Sequence, residues 1–250
     1  MRITTLLALL LGLFLAGSAA AQGLTVPPPT PAADPENTLL LDLSSGGRVA
    51  IQLRPDVAPN HVARIKELAR KGFYNGLTFH RVIDGFMAQG GDPAGDGTGG
   101  SQLPDLKAEF NGLPHVRGAI AAARQGAAPD ADAATVAAAE NSANSQFYIM
   151  LGSRLSLDGR YTVFGRVIGG MNFVDAIEKG EPPANPSRIL QASIAADNKA
   201  PPPPGQTFAA PASPVGAASP GGIAAGPAVP PPPSIRLPEA KPKAPPKKGR

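Results

Sequence analysis

The sequence predicts a mainly β fold: a closed eight-stranded antiparallel barrel capped by two α-helices and followed by a disordered, proline-rich C-terminal tail. Three observations carry that prediction. Short alternating or wholly apolar runs recur between glycines through residues 38–195, and only two stretches show helical periodicity. Strand and helix do not alternate regularly, which argues against a doubly wound parallel sheet.

The elements follow in chain order. TLLLDL at 38–43 and RVAIQL at 48–53, where Val49, Ile51 and Leu53 alternate with polar or small neighbours, flank Ser44-Ser45-Gly46-Gly47 and predict a hairpin. In PNHVARIKELARKG, Pro59 is placed to open a helix, Val62, Ile65 and Leu68 share a face, and Gly72 ends it. Strand-like runs follow at 77–82, 86–89, 118–123, 146–151, 162–167 and 189–195. A second helix is expected over Met171–Lys179, stopped by Gly180.

The ends differ from the middle. Residues 1–21 carry Arg2, an apolar run from Leu6 to Ala16 and an Ala19-x-Ala21 ending, the pattern of a signal peptide cleaved after Ala21. An uncleaved anchor is the alternative. Export, with a periplasmic destination, is therefore expected. Residues 22–36 form a proline-rich leader, residues 37–198 the folded domain and residues 199–250 the tail. The tail holds 16 of the 30 prolines, and its seven basic residues against one acid leave +6. Such a segment cannot build a core; it reads as a polyproline II arm suited to an anionic envelope surface.

Composition also excludes chemistry. The chain has no cysteine, hence neither disulfide nor thiolate nucleophile. His61, His80 and His115 show no short-range ligand spacing and read as structural, so no metal is expected. GGDPAGDGTGG at 90–100 lacks the P-loop lysine and a strand-turn-helix context, and Asp92 and Asp96 miss the calcium-loop spacing. It reads as a tight loop that lets backbone approach a ligand. Neither a cofactor nor a nucleic-acid partner is expected, and the chain is expected to be a monomer.

Within TFHRVIDGFMAQGG, at 78–91, Arg81 interrupts an apolar strand. A guanidinium keeps its proton at physiological pH, so it serves as a directed hydrogen-bond donor rather than an acid or base. This segment, together with RGAIAAAR at 117–124, NSQFYIM at 144–150 and LDGRYTVFGRVIGGMNFVDAI at 157–177, resembles the cyclophilins, a family of peptidyl-prolyl cis-trans isomerases, over about 37–195. The resemblance implies an eight-stranded barrel capped by two helices, proline-containing polypeptides as substrates, and no cofactor. It implies that Arg81 is the catalytic arginine and Gln89 the glutamine that orients it. Phe86, Met87, Tyr148 and Leu157 match the pocket for the proline ring, while His80, Gly97, Ala123, Gln146 and Tyr161 match further positions along the substrate groove.

This sequence departs from the family pattern at several points. Tyr148 stands where many members have phenylalanine, and its added hydroxyl needs water or a partner. Ser156 replaces a frequent tryptophan, Tyr161 a frequent histidine, and Arg124-Gln125 an asparagine-alanine pair. QGAAPDADAATVAAAENSA, at 125–143, is longer than usual by about a dozen residues and is expected to form an inserted loop or a short alanine-rich helix beside the groove. Two readings follow: an isomerase assisting the folding of exported proteins, or a proline-peptide-binding chaperone module with little turnover.

Overall fold

Period-two alternation sorts the strand side chains onto two faces of one sheet. In the structure, a computed structural model describing residues 27 and 29–203, eight strands are formed: β1 (Thr38–Leu43), β2 (Gly47–Leu53), β3 (Phe79–Ile83), β4 (Met87–Gly90), β5 (Ala119–Ala122), β6 (Phe147–Met150), β7 (Val163–Gly169) and β8 (Ile189–Ile194). They pair antiparallel throughout in the order β3-β4-β6-β5-β7-β2-β1-β8. The inner face carries Leu39, Leu41, Ile51, Leu53, Ile120, Phe147, Ile149 and Phe164 into the main core. The alternate residues of β4 to β7, Met87, Ala119, Ala121, Tyr148, Met150 and Val163, form a second apolar cluster on the outside.

The closed barrel is realised as a curled sheet. Its end strands share no ladder and meet through the single bridge Thr78–Arg188, flanked by Phe79 N–H donating to Ser187 O (2.9 Å) and Ile189 N–H to Leu77 O (2.9 Å).

Helix α1 (Pro59–Arg70) follows its pattern: Val62, Ile65 and Leu68 enter the core. Its Ala58 N-cap has no side-chain acceptor, and Glu109 supplies one from another segment, accepting from Asn60 N–H and His61 N–H at 3.0 Å each. Residues 125–143 contain a short helix, α2 (Ala133–Glu140), whose Asp132 side chain accepts from Thr135 N–H at 2.7 Å. Its neck is closed where Ala123 N–H donates to Gln146 O at 3.0 Å.

The expected helix 171–179 is shorter: α3 spans Met171–Asp175. Residues 176–179 are used in crossing toward Gly180, which exchanges both backbone hydrogen bonds with Val82 (2.8 and 2.9 Å), and Lys179 Nζ caps the freed carbonyls of Asp175 and Ile177. A tertiary pairing thus ends the helix before its sequence signal does.

The signal-peptide segment and residues 204–250 of the tail lie outside the described residues. Described residues of the leader and the first residues after the domain make contacts to it. Pro29 O and Pro31 O accept from Arg54 and Gln52, and Ala200 O accepts from Gln191 at 2.9 Å.

Candidate active site

Arg81 reaches the outer face because β3 is irregular. Phe79 and Val82 both enter the main core although they are three residues apart, which strict alternation forbids; the register shifts between Phe79 and Arg81. A bulge of this kind re-aims a side chain. Arg81 and Ile83 consequently face out, with Arg81 directly opposite Gln89 on β4. The Arg81 side chain is 15% exposed, and its Nε lies 3.5 Å from Glu181 Oε1.

Phe86, Met87, Tyr148 and Leu157 come together in the outer cluster, with Ala123 and Tyr161 packed against it. Phe86 closes the β3–β4 turn, Met87 and Tyr148 project from adjacent strands, and Leu157 arrives on a 3₁₀ turn, Leu155–Leu157. The ring of Tyr161 meets that of Tyr148 edge-on at 6.0 Å and lies beneath the Arg124 guanidinium at 4.6 Å. Ser156, on the same 3₁₀ turn, is exposed.

Gln89 does not bond to Arg81. Its Nε2 donates to Gln146 Oε1 at 3.0 Å, and Gln146 Nε2 donates to Gly97 O (3.0 Å) and Gly99 O (2.8 Å). The glycine-rich loop is wound around Asp92, a buried carboxylate that accepts from the backbone N–H groups of Ala94, Asp96 and Gly97 at 2.8, 3.1 and 2.6 Å. Such convergence requires left-handed backbone, and Gly97, at φ +89°, supplies it. Asp92, the loop carbonyls, Gln146 and Gln89 therefore form one positioning chain.

His80 is buried rather than lining an open groove, and neither ring nitrogen has a partner among the described residues. Burial lowers its pKa below the usual histidine value, against the opposing pull of Asp92 and Asp96.

Sequence reasoning missed three residues here: His115, Asp158 and Glu181. The Tyr148 hydroxyl lies 3.1 Å from His115 Nε2, and His115 Nδ1 lies 2.8 Å from Asp158 Oδ1, which also accepts from His115 N–H. With Nδ1–H donating to the carboxylate, Nε2 is left to accept from the tyrosine. Burial lowers the His115 pKa, more than Asp158 raises it, and burial raises that of Tyr148. The signal was present in the sequence: a buried tyrosine in place of phenylalanine requires a partner. Glu181, the acid beside Arg81, had no such signal.

The assembled groups comprise a fixed cation, a row of orienting amides and an apolar floor, so the site can hold a ring and donate hydrogen bonds to it without a nucleophile. Comparison with known proteins places the chain among relatives of one kind. The family model described as cyclophilin type peptidyl-prolyl cis-trans isomerase/CLD matches residues 38–194. A probable peptidyl-prolyl cis-trans isomerase of Brucella suis is 49% identical over 184 residues, covering 67% of this chain and 87% of that protein. Peptidyl-prolyl cis-trans isomerase B of Bacillus subtilis is 39% identical over 141 residues, 56% of this chain and 89% of the relative. The crystal structure of cyclophilin AquaCyp293 from Hirschia baltica superimposes with a TM-score of 0.57 at 28% identity, covering 67% of this chain and 77% of that one.

Proposed function

The chain belongs to the cyclophilin-type peptidyl-prolyl cis-trans isomerases, and from that premise we propose that Arg81 drives the isomerisation by donating a hydrogen bond to the prolyl nitrogen, and that the substrates are exported proteins during folding. Amide resonance sets a barrier of about 18–20 kcal/mol to rotation about an X-Pro bond. In the twisted transition state the nitrogen regains its lone pair and accepts a hydrogen bond that the planar ground state cannot. A donor held at that point binds the transition state more tightly than the substrate, and each ~1.4 kcal/mol of difference is a factor of ten in rate.

One observation carries this reading: the β3 bulge turns Arg81 out beside the cluster of Phe86, Met87, Tyr148 and Leu157, opposite the amide row of Gln89 and Gln146. The apolar cluster would anchor the proline ring and exclude water that stabilises the planar amide. Gln89 and Gln146 would orient the substrate backbone, and Arg81 would be aimed by its strand and by Glu181 rather than by Gln89.

An NMR exchange assay on an Ala-Pro peptide tests the catalytic part. Arg81→Ala is expected to lower kcat/KM by about a hundredfold or more while peptide affinity changes little, the scale seen when one transition-state donor is removed. Equal rates would refute the role of Arg81; peptide binding by the wild type without rate enhancement would select the chaperone-module reading. The export part rests on the signal-peptide pattern, and mass spectrometry of an envelope fraction should find a mature chain starting at Gln22.

A further inference from the structure

The outer face of the sheet bears a second seat, away from Arg81. Gln52 and Arg54, at the end of β2, are 5% and 4% exposed, and both spend donors on the leader: Gln52 Nε2 donates to Pro31 O at 2.7 Å and Arg54 Nη2 to Pro29 O at 3.1 Å. Arg54 is held rigid by a two-pronged bond to the Asp56 carboxylate, at 2.8 and 2.7 Å. Polyproline II backbone has no internal hydrogen bonds, so its carbonyls remain free for such donors. Among the described residues, the contacts made here are to alternate backbone carbonyls and not to a polar side chain of the leader.

Beside these donors is a cavity of about 250 Å³, walled by Leu113, Ala119, Val163 and Ile168, with Pro27 and Thr30 of the leader at its edge. It is sized for one or two apolar side chains rather than a drug-sized ligand. Ile168 in its wall is 51% exposed, one of three large apolar side chains so placed among the described residues.

The sequence contains a second copy of the segment that leads into this seat. Val26-Pro27-Pro28-Pro29 recurs letter for letter as Val229-Pro230-Pro231-Pro232, followed by Pro233. Residues 226–235 carry no charge, so neither Arg54 nor Arg166 repels them. The 26 residues that follow Pro203 up to Val229 span up to ~80 Å as polyproline II, several times the ~15 Å radius of gyration expected for such a domain.

We propose that this face of β2 and β7 is a second proline-peptide site, which binds polyproline II backbone without isomerising it, and that Val229–Pro233 of the tail takes it in exchange with the leader. The inference is independent of the role assigned to Arg81. In this arrangement the leader is a resident occupant in cis, and the tail is gathered onto the domain when the leader leaves.

The absence of cysteine allows a single label. Full-length chain carrying Ser234→Cys with a nitroxide spin label is compared, by NMR line broadening, with the same chain carrying Pro29→Gly and Pro31→Gly in the leader, and with one also carrying glycine at 230–233. The expected result is that the leader variant loses more than half the signal intensity at Gln52, Leu53 and Arg54, and that glycine at 230–233 restores it. Isomerase rates within twofold of one another would show that all three chains are folded. Undiminished Gln52 and Arg54 signals in the leader variant would overturn the proposal, as would broadening centred on Arg81 and Gln89, which would place the tail in the catalytic groove.

Discussion

The Asp158–His115–Tyr148 chain makes a measurable demand on stability. Tyr148→Phe keeps the ring in the outer cluster and removes only the hydroxyl. The lost bond has a net value of about 1 kcal/mol, and His115 Nε2, wholly buried, is left without a partner at a cost of about 1–3 kcal/mol. A destabilisation of about 2 kcal/mol is expected. His115→Asn keeps a donor near Asp158, removes Nε2 and strands the tyrosine hydroxyl, for a similar cost plus a small cavity. Because both substitutions break the same bond, the double variant should cost about 1–2 kcal/mol less than the sum of the two. Urea unfolding at pH 7.5 on the four chains closes the cycle, and kcat/KM of Tyr148→Phe should stay within about threefold of wild type, since the ring remains. Additivity within about 0.5 kcal/mol would show that the 3.1 Å contact carries no coupling and would refute the reasoning.

Three further outcomes are expected. Glu109→Ala removes the acceptor for two N-terminal amides of α1 and for His61 Nδ1, so thermal unfolding should show a loss of about 2 kcal/mol or more, with Glu109→Gln recovering part of it. Burial lowers the pKa of His61, His80 and His115 below 6.5; the unfolded chain then binds protons that the fold refuses, and stability should fall as pH drops through 6.5. The slope in a pH series of unfolding curves is bounded at ~1.4 kcal/mol per pH unit for each histidine, and greater stability at pH 5.5 than at 7.5 would contradict the assignment. Asp92→Asn replaces one of the oxygens that gather three loop amides, so it should lower stability by about 1–3 kcal/mol and loosen Gln146, seen as a several-fold rise in KM with kcat less affected.

Where local pattern decided the structure, the sequence was legible. Val49, Ile51 and Leu53 alternate because the inner face of β2 is core, and Val62, Ile65 and Leu68 repeat because one face of α1 meets it. The grouping of Phe86, Met87, Tyr148 and Leu157 was legible only as a likeness to a family, because two strands, a turn and a 3₁₀ turn far apart in the chain supply them. What could not be read depends on long-range demands. Glu109 caps a helix that begins 50 residues earlier, Gly180 ends α3 by pairing with Val82, and the Gln89 amide turns to Gln146 across a strand pair rather than to Arg81. The bulge falls between these cases: two inward residues three apart, Phe79 and Val82, mark it once the core is known.

The two-faced sheet explains why the candidate groove lies where it does. The interior is already filled by Phe79, Phe147, Phe164 and their neighbours, so it leaves no space for a peptide. The second apolar cluster is built outside, where β4 to β7 turn Met87, Ala121, Tyr148 and Val163 away from the core. Small residues on β5, Ala119 and Ala121, let the larger side chains of neighbouring strands meet across it. That outer cluster has two borders: Arg81 and the Gln89–Gln146 amides edge it along β3, β4 and β6, while Gln52 and Arg54 edge it along β2. Ala119 and Val163 belong both to the cluster and to the cavity wall of the second seat. Both borders thus lie on one face of these strands, while the core that stabilises the fold occupies the other.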